Sequence, residues 1–333
     1  MSPSPRKIRY GIIGFGLFAE RAIAPAIRAS ANSELIAIQK RSFDDAKKKA
    51  GELSVPLAFA STKELVSHPD VDAVYVVSAN ALHCPETLLA ARAGKHVLVE
   101  KPMAMNASEC RRMIAACKKY SVKLTVGHML RLSPLVRRMR DIVRSGMIGD
   151  IASARADFIY DSRVSQRSWL FDRKIAGGGP VFDIGVHGLD CLRYVLDDQV
   201  VTTKSDLFPR PTATRTEDSA NILLRFTRGT IATISCSFIA PLRRTYIEFV
   251  GTKGIISAYT FTQNNATVYL NITMGKDGRE EPTKIEEVRV GNLYIDQVSN
   301  FSRNILENAE PLVPGSEGLK NQLVLDAAMM SGR

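Results

Sequence analysis

The chain has 333 residues, 45% of them apolar and 24% charged. This is the composition of a globular protein, and the length favours two domains that each bury a core. No run of about 18 apolar residues occurs, which excludes an ordinary membrane-spanning helix. The formal net charge is +11, and the five cysteines (Cys84, Cys110, Cys117, Cys191, Cys236) form no CxxC pair. The cysteines therefore read as reduced thiols of a cytoplasmic protein, with no disulfide framework and no metal site.

In chain order, residues 8–13 form a short apolar run behind Arg6-Lys7. Glycines at 11, 14 and 16 and the quick passage into Glu20-Arg21 favour a first β-strand over a secretory leader. The loop after it, Gly14-Phe15-Gly16-Leu17-Phe18-Ala19, has the G-x-G-x-x-A form of a dinucleotide fingerprint. Gly14 suits a tight turn, Gly16 a close backbone approach to pyrophosphate, and Ala19 close packing of helix on strand. Residues 19–29 predict a helix to which Pro25 is a local objection. A second strand is expected over 35–38, a helix over 42–50 with Lys47-Lys48-Lys49 on a solvated turn, and a short helix from 62. Residues 73–77 read as a buried parallel strand, 85–93 as a helix stopped by Gly94, and 96–100 as a strand. A helix over 108–119, packed through Cys110 and Cys117, and a strand over 124–126 come next. Repeated β-α units predict a parallel sheet with helices on both faces, and a first domain of residues 1–127.

The second domain, 128–333, has a different texture. Ser133-Pro134 opens a helix on which Arg137, Arg138, Arg140 and Arg144 alternate with Leu135, Met139, Ile142 and Val143. Without interleaved aromatics or a reader motif this is a solvated helix face, so no nucleic-acid partner is expected. Strands are predicted at 151–160, 220–226, 230–238, 246–251, 254–260 and 266–273. Tight turns between several of them predict antiparallel pairing. Residues 181–196 interrupt them as a helix, 276–281 form a polar turn, and 296–307 and 318–330 are helical.

Two motifs bring chemistry. Lys101 precedes Pro102 at the end of a buried strand, in a bond that can be cis, at the sheet edge where ligands bind. Downstream of Gly177-Gly178-Gly179, Asp183 and His187 stand four apart and project from one helix face. A lysine, a carboxylate and an imidazole suit proton transfer to or from a hydroxyl. In this reading His187 exchanges the hydroxyl proton, Asp183 orients it and hydrogen-bonds substrate, and Lys101 stabilises alkoxide charge. Asp190, three residues on, is either support for His187 or half of a structural ion pair. At the end of the second strand, where NAD-binding chains place an acid, this one reads Ile38-Gln39-Lys40-Arg41-Ser42. Two cations and a hydroxyl fit a 2′-phosphate, so NADP(H) is favoured and NAD(H) is the alternative.

Together these motifs resemble the glucose-fructose oxidoreductase, inositol dehydrogenase and rhizopine-catabolism (Gfo/Idh/MocA) family. The likeness rests on the glycine loop, Asn80 with His83, Ala93-Gly94-Lys95-His96-Val97 running into Glu100-Lys101-Pro102, and Gly146-x-Ile148-Gly149. Gly177 to His187 and Phe249-Val250-Gly251-Thr252-Lys253-Gly254 complete it. The resemblance implies a Rossmann domain succeeded by an α/β domain with a large open, mostly antiparallel sheet. It also implies NAD(P)-dependent oxidoreduction of a sugar, polyol or diol, and Asn80, His83, Glu100 and Lys101 as cofactor-side residues. Trp169, the single tryptophan, stands where the family often has an aromatic beside nicotinamide and substrate. Ala79 departs from the proline common before the asparagine. Arg163, Arg167 and Arg173 in the same loop read as solvated. The competing expectations are an NAD-dependent sugar or inositol dehydrogenase and a non-catalytic dinucleotide-binding regulator. Alternating Ile222, Leu224, Phe226, Ile231, Thr233 and Ser235 on a helix-poor sheet predict a homodimer or homotetramer built on residues 151–275.

Overall fold

The computed structural model describes residues 6–163, 167–276 and 278–332. They form two units: residues 6–128 with 294–322, and residues 129–293 with 323–332.

The first unit is a six-stranded parallel sheet in the order β3-β2-β1-β4-β5-β6. Its strands are β1 (Ile8–Ile13), β2 (Ser33–Gln39), β3 (Leu57–Phe59), β4 (Ala73–Val76), β5 (His96–Val99) and β6 (Leu124–Val126). Between them run α1 (Ala24–Ala29), α2 (Phe43–Glu52), α3 (Thr62–Ser67), α4 (Asn80–Arg92) and α5 (Ala107–Lys119). The strand order reverses between β1 and β4, the switch point at which such sheets bind ligands. β4 is buried at every position, which is why its sequence is a plain apolar run.

The helix expected over 19–29 forms, with a change of winding inside it. A π-turn over Ala19–Ile23, closed by the Ala24 N–H bonding Ala19 O, precedes α1, and Pro25 lies in the first turn of α1. The backbone is helical on both sides, so Pro25 removes one backbone hydrogen bond inside a continuous winding, directly after the wider π-turn. The helix expected from Pro85 begins five residues earlier and carries Pro85 inside it.

The C-terminal segment 294–322, which the sequence assigns with the second domain, groups with this first unit. Val298 and Phe301 share one core with Ile12 and Tyr75, and Val313 shares the other with Val99 and Val126. Ser302 accepts or donates to Tyr10 Oη at 2.8 Å.

The second unit is built on a nine-stranded sheet, mostly antiparallel. Its strands are β7 (Ile151–Asp161), β8 (Val200–Phe208), β9 (Ser219–Phe226), β10 (Ile231–Ser237), β11 (Ile239–Gly251), β12 (Gly254–Tyr259), β13 (Ala266–Lys276), β14 (Arg279–Glu280) and β15 (Lys284–Val290). The order is β14-β13-β12-β11-β7-β10-β9-β8, with β15 also on β13 and one parallel pair, β10 with β7. Helices α6 (Pro134–Arg144), α7 (Arg173–Ala176) and α8 (Val186–Leu196) belong to this unit. The C-terminal helices are α9 (Leu293–Leu306) and α10 (Gly315–Ser331). Of the expected polar turn, Asp277 lies outside the described residues.

Ile222, Leu224 and Phe226 are buried on one face of the sheet, while Leu223 and Ile231 are exposed on the other, together with Tyr259, Tyr269 and Ile285. The arginines of α6 are more engaged than a solvated face requires. Arg138 forms a two-pronged pair with Glu286 at 2.9 and 3.0 Å, Arg140 lies over the Tyr194 ring, and Arg137 donates to the Arg131 carbonyl. All five cysteines are buried, and none is in a disulfide. Among the described residues no helix is long and apolar enough to cross a membrane.

Candidate active site

In the first unit the loop after β1 closes on itself. Gly14 has φ +81°, and a Cβ there would strike the Ser78 backbone, so only glycine fits. Gln39, buried at the end of β2, holds the turn. Its Oε1 accepts from Gly14 N at 3.0 Å and its Nε2 donates to Ala60 O at 2.9 Å. A Cβ on Gly16 would meet only the Gly14 carbonyl, at 3.9 Å, so its backbone faces open space. Leu17 and Phe18 are exposed and Phe15 and Ala19 are buried. An open glycine backbone leading into a helical turn is the cradle a pyrophosphate requires, so these residues fit a dinucleotide.

Where β2 leaves the sheet, Lys40 Nζ donates to the Phe15 carbonyl at 3.2 Å, which keeps the ammonium at the glycine loop. Arg41 and Ser42 are exposed, and the Ser42 hydroxyl caps α2 by accepting from Asp45 N. No acid stands at this strand end; Asp44 and Asp45 lie in the first turn of α2.

The turn after β5 is built around Lys101, and the Lys101–Pro102 bond is cis, as its sequence context suggests. Glu100 secures it: Oε1 accepts from Tyr75 Oη at 2.7 Å and Oε2 from Lys101 N at 3.2 Å. Gln297 Nε2 donates to the same Tyr75 oxygen at 2.6 Å. Burial, reinforced by the Glu100 charge, pushes the Tyr75 phenol up, so it stays a neutral donor. His83 pins the turn from the other side, with ring nitrogens 2.9 Å from Pro102 O and 3.0 Å from Ser78 O. Burial pushes this imidazole down to about 4, and the neutral ring donates to one of those carbonyls. Asn80, also buried, is the first residue of α4. Glu100 and His83 thus shape the lysine turn, a structural duty the sequence does not disclose.

In the second unit the helix that carries Asp183 and His187 starts as a π-turn over Val181–Gly185 and continues as α8. The wider turn still leaves the two side chains on one side of the helix. π-turns inside helices recur at functional sites. Asp183 is buried, and its Oδ2 accepts from Tyr160 Oη at 3.1 Å and from Arg167 Nη2 at 3.2 Å, while Arg167 Nη1 approaches Oδ1 at 3.3 Å. Arg167 also donates to Tyr160 Oη at 2.9 Å. Burial and the Asp183 charge push the Tyr160 phenol up to about 12. Arg167, read from sequence as solvated, is therefore a partner of Asp183, and Tyr160 joins a group that sequence reasoning did not include. The His187 ring lies 6.1 Å from that of Phe158. Trp169 sits half-buried on a short turn, Ser168–Phe171, that leads into α7. Asp190 takes the ion-pair alternative: Arg131 Nη2 reaches its Oδ1 at 2.7 Å, and both groups are almost fully buried. Arg163 and Arg173 are otherwise engaged, with Asp161 and the Thr212 carbonyl.

The parallel sheet with its switch point and glycine cradle defines a dinucleotide-binding protein of the Rossmann class. Similarity to known proteins identifies the family. Residues 8–128 match the model of the oxidoreductase family with NAD-binding Rossmann fold (GFO/IDH/MocA), and residues 136–257 match a GFO/IDH/MocA C-terminal domain. The chain belongs to this family of NAD(P)-dependent oxidoreductases. It is 33% identical over 313 residues to a 1,5-anhydro-D-fructose reductase of Ensifer adhaerens, covering 93% of this chain and 92% of the relative. It is 28% identical to a D-xylose 1-dehydrogenase (NADP(+)) of Haloferax volcanii, over 96% of this chain and 95% of that one. Among solved structures, an aldose-aldose oxidoreductase of Caulobacter crescentus complexed with glycerol superposes with a TM-score of 0.88 at 30% identity, covering 98% of each chain.

Proposed function

We propose that the protein is an NADP(H)-dependent oxidoreductase acting on a sugar, polyol or diol. The cofactor preference rests on one observation. Lys40, held at the glycine loop, and the exposed Arg41 and Ser42 occupy the strand end where an NAD-specific chain presents an acid. When bound, the nicotinamide supplies or accepts the hydride. In the oxidation direction His187 takes the hydroxyl proton. Asp183, steadied by Tyr160 and Arg167, orients that histidine and accepts a hydrogen bond from substrate. Lys101, set by the Glu100 and His83 contacts of its turn, stabilises the developing alkoxide. The sugar reading is supported by the three relatives named above, whose names specify sugars, and the diol reading by trans-1,2-dihydrobenzene-1,2-diol dehydrogenases such as that of Mus musculus, 31% identical over 250 residues. The exposed apolar face of the large sheet supports a homodimer or homotetramer.

Fluorescence titration of NADPH and NADH tests the cofactor half. Each charge-assisted phosphate contact is worth roughly 1.5–3 kcal/mol, so NADPH binds about tenfold or more tightly and Arg41→Ala removes most of the difference. Equal affinities in the wild type overturn it. A screen of polyols, aldoses, ketoses and dihydrodiols by nicotinamide absorbance identifies the substrate. On it, Lys101→Ala and His187→Ala each lower kcat by about 10²–10⁴-fold at little cost to cofactor binding. Near wild-type turnover in either variant refutes its role.

A further inference from the structure

We infer that Glu217 is a positioning residue for Asp183 and His187: its carboxyl fixes the start of the helix that carries them. This rests on the proton-transfer role proposed for that pair.

Glu217 lies in the strap before β9 and is completely buried. Its Oε1 accepts from Gly179 N at 2.8 Å and from Val181 N at 3.2 Å, the first backbone donors of the helical segment. The strap itself abuts the glycine turn, because a Cβ on Gly179 would overlap the Glu217 carbonyl oxygen and crowd Thr216. On its other side Thr216 Oγ1 donates to Leu170 O at 3.0 Å and Arg173 N to Thr214 O at 3.0 Å. One strap therefore ties together the Trp169 turn and the start of the Asp183–His187 helix.

The start matters because the segment opens as a π-turn, an irregular winding that persists only where its surroundings over-determine it. The turn reaches from Val181 O to Val186 N. Relaxation to α-helical winding shifts everything downstream by one residue, which rotates α8 and His187 by about 100° about the helix axis relative to the glycine turn and the strap. Pro180 has no N–H to donate, so the Gly179 and Val181 amides are the groups left to hold the register, and Glu217 holds both.

The test compares Glu217→Gln, which keeps one carbonyl acceptor, with Glu217→Leu, of similar bulk and no acceptor. His187→Ala serves as the reference. Glu217→Leu is expected to lower kcat by tenfold or more, with NADPH binding unchanged and KM changed less than threefold. Glu217→Gln restores kcat to within threefold of wild type. A purely structural role lowers the melting temperature but leaves kcat per folded molecule intact. That result, or equal activity of the two Glu217 variants, overturns the inference while His187→Ala is still impaired. If His187→Ala is itself unimpaired, the underlying reading fails instead. If Glu217→Leu does not fold, Glu217→Gln decides: a tenfold loss of kcat in folded protein overturns the assignment, and retention of kcat supports it.

Discussion

Replacing Asp190 by leucine tests the energetics of the second unit most sharply. Asp190 and Arg131 have side chains only 1% and 6% exposed, and the guanidinium reaches the carboxylate with Nη2 at 2.7 Å and Nε at 3.0 Å. Arg131 also stacks over Tyr194, with its guanidinium carbon 5.3 Å from the ring centre. Solvent screening is negligible at this depth, so the modest value of surface pairs does not apply. Removing the carboxylate takes its bidentate acceptor from a buried guanidinium that cannot neutralise, a change that costs about 3–5 kcal/mol. For a unit of roughly 150–250 residues that lowers the melting temperature by on the order of 10 °C. The double variant Arg131→Met/Asp190→Leu removes both charges and keeps the volume, and is expected to recover most of the loss. The assay is thermal and urea unfolding monitored by circular dichroism, with kcat measured on the folded fraction. Since Asp190 is engaged by Arg131, kcat should escape the about 10²–10⁴-fold loss typical of a proton-transfer residue. A single variant that loses under about 1 kcal/mol, or a double variant no better than the single, refutes the reasoning.

Three further outcomes are expected. Burial pushes the Glu217 carboxyl up to about 7 from 4.5, against the opposing pull of the Gly179 and Val181 amides and of Arg173. Its other buried neighbour, the Cys236 thiol, is itself pushed up and stays neutral. The folded state then binds more protons than the unfolded between these values, so this contribution is complete below about 4.5 and is lost as pH rises through 7, about 3 kcal/mol in all. Glu217→Gln should therefore raise the melting temperature at pH 8 and not at pH 4, and an equal change at both refutes it. Gly14→Ala forces a side chain into left-handed backbone against Ser78 and should abolish NADPH binding in titrations while the second unit stays folded. Light scattering should give a multiple of the 36.6 kDa chain mass, reduced by Leu223→Asp on the exposed sheet face; a wild-type monomer at micromolar concentration counts against the assembly.

What was legible in the sequence is what the backbone imposes locally. Gly14, Pro102 and Gly179 each solve a steric problem that no other residue solves as well, and so each marks its loop without knowledge of distant partners. Lys40, Arg41 and Ser42 were legible because the end of a parallel strand is a fixed address. The parts that stayed hidden depend on pairing. Tyr160 meets Asp183 from 23 positions away and Glu217 meets Gly179 from 38, contacts made by sheet register and strap placement rather than by spacing. Arg167 looks solvated in isolation because nothing along the chain shows that a buried carboxylate is waiting for it. β8 escaped because its side chains are mostly exposed, so it has no apolar alternation to read. Segment 294–322 was recognisable as helix, but an amphipathic face does not say which core it will enter. The π-turns are the instructive intermediate case. Pro25 was a visible objection to one, whereas the other leaves no mark except glycines and a proline before it, and its hold comes from Glu217. Steric singularities therefore reveal where a site is, while the carboxyl and phenol groups that set its side chains emerge only when the fold brings them in.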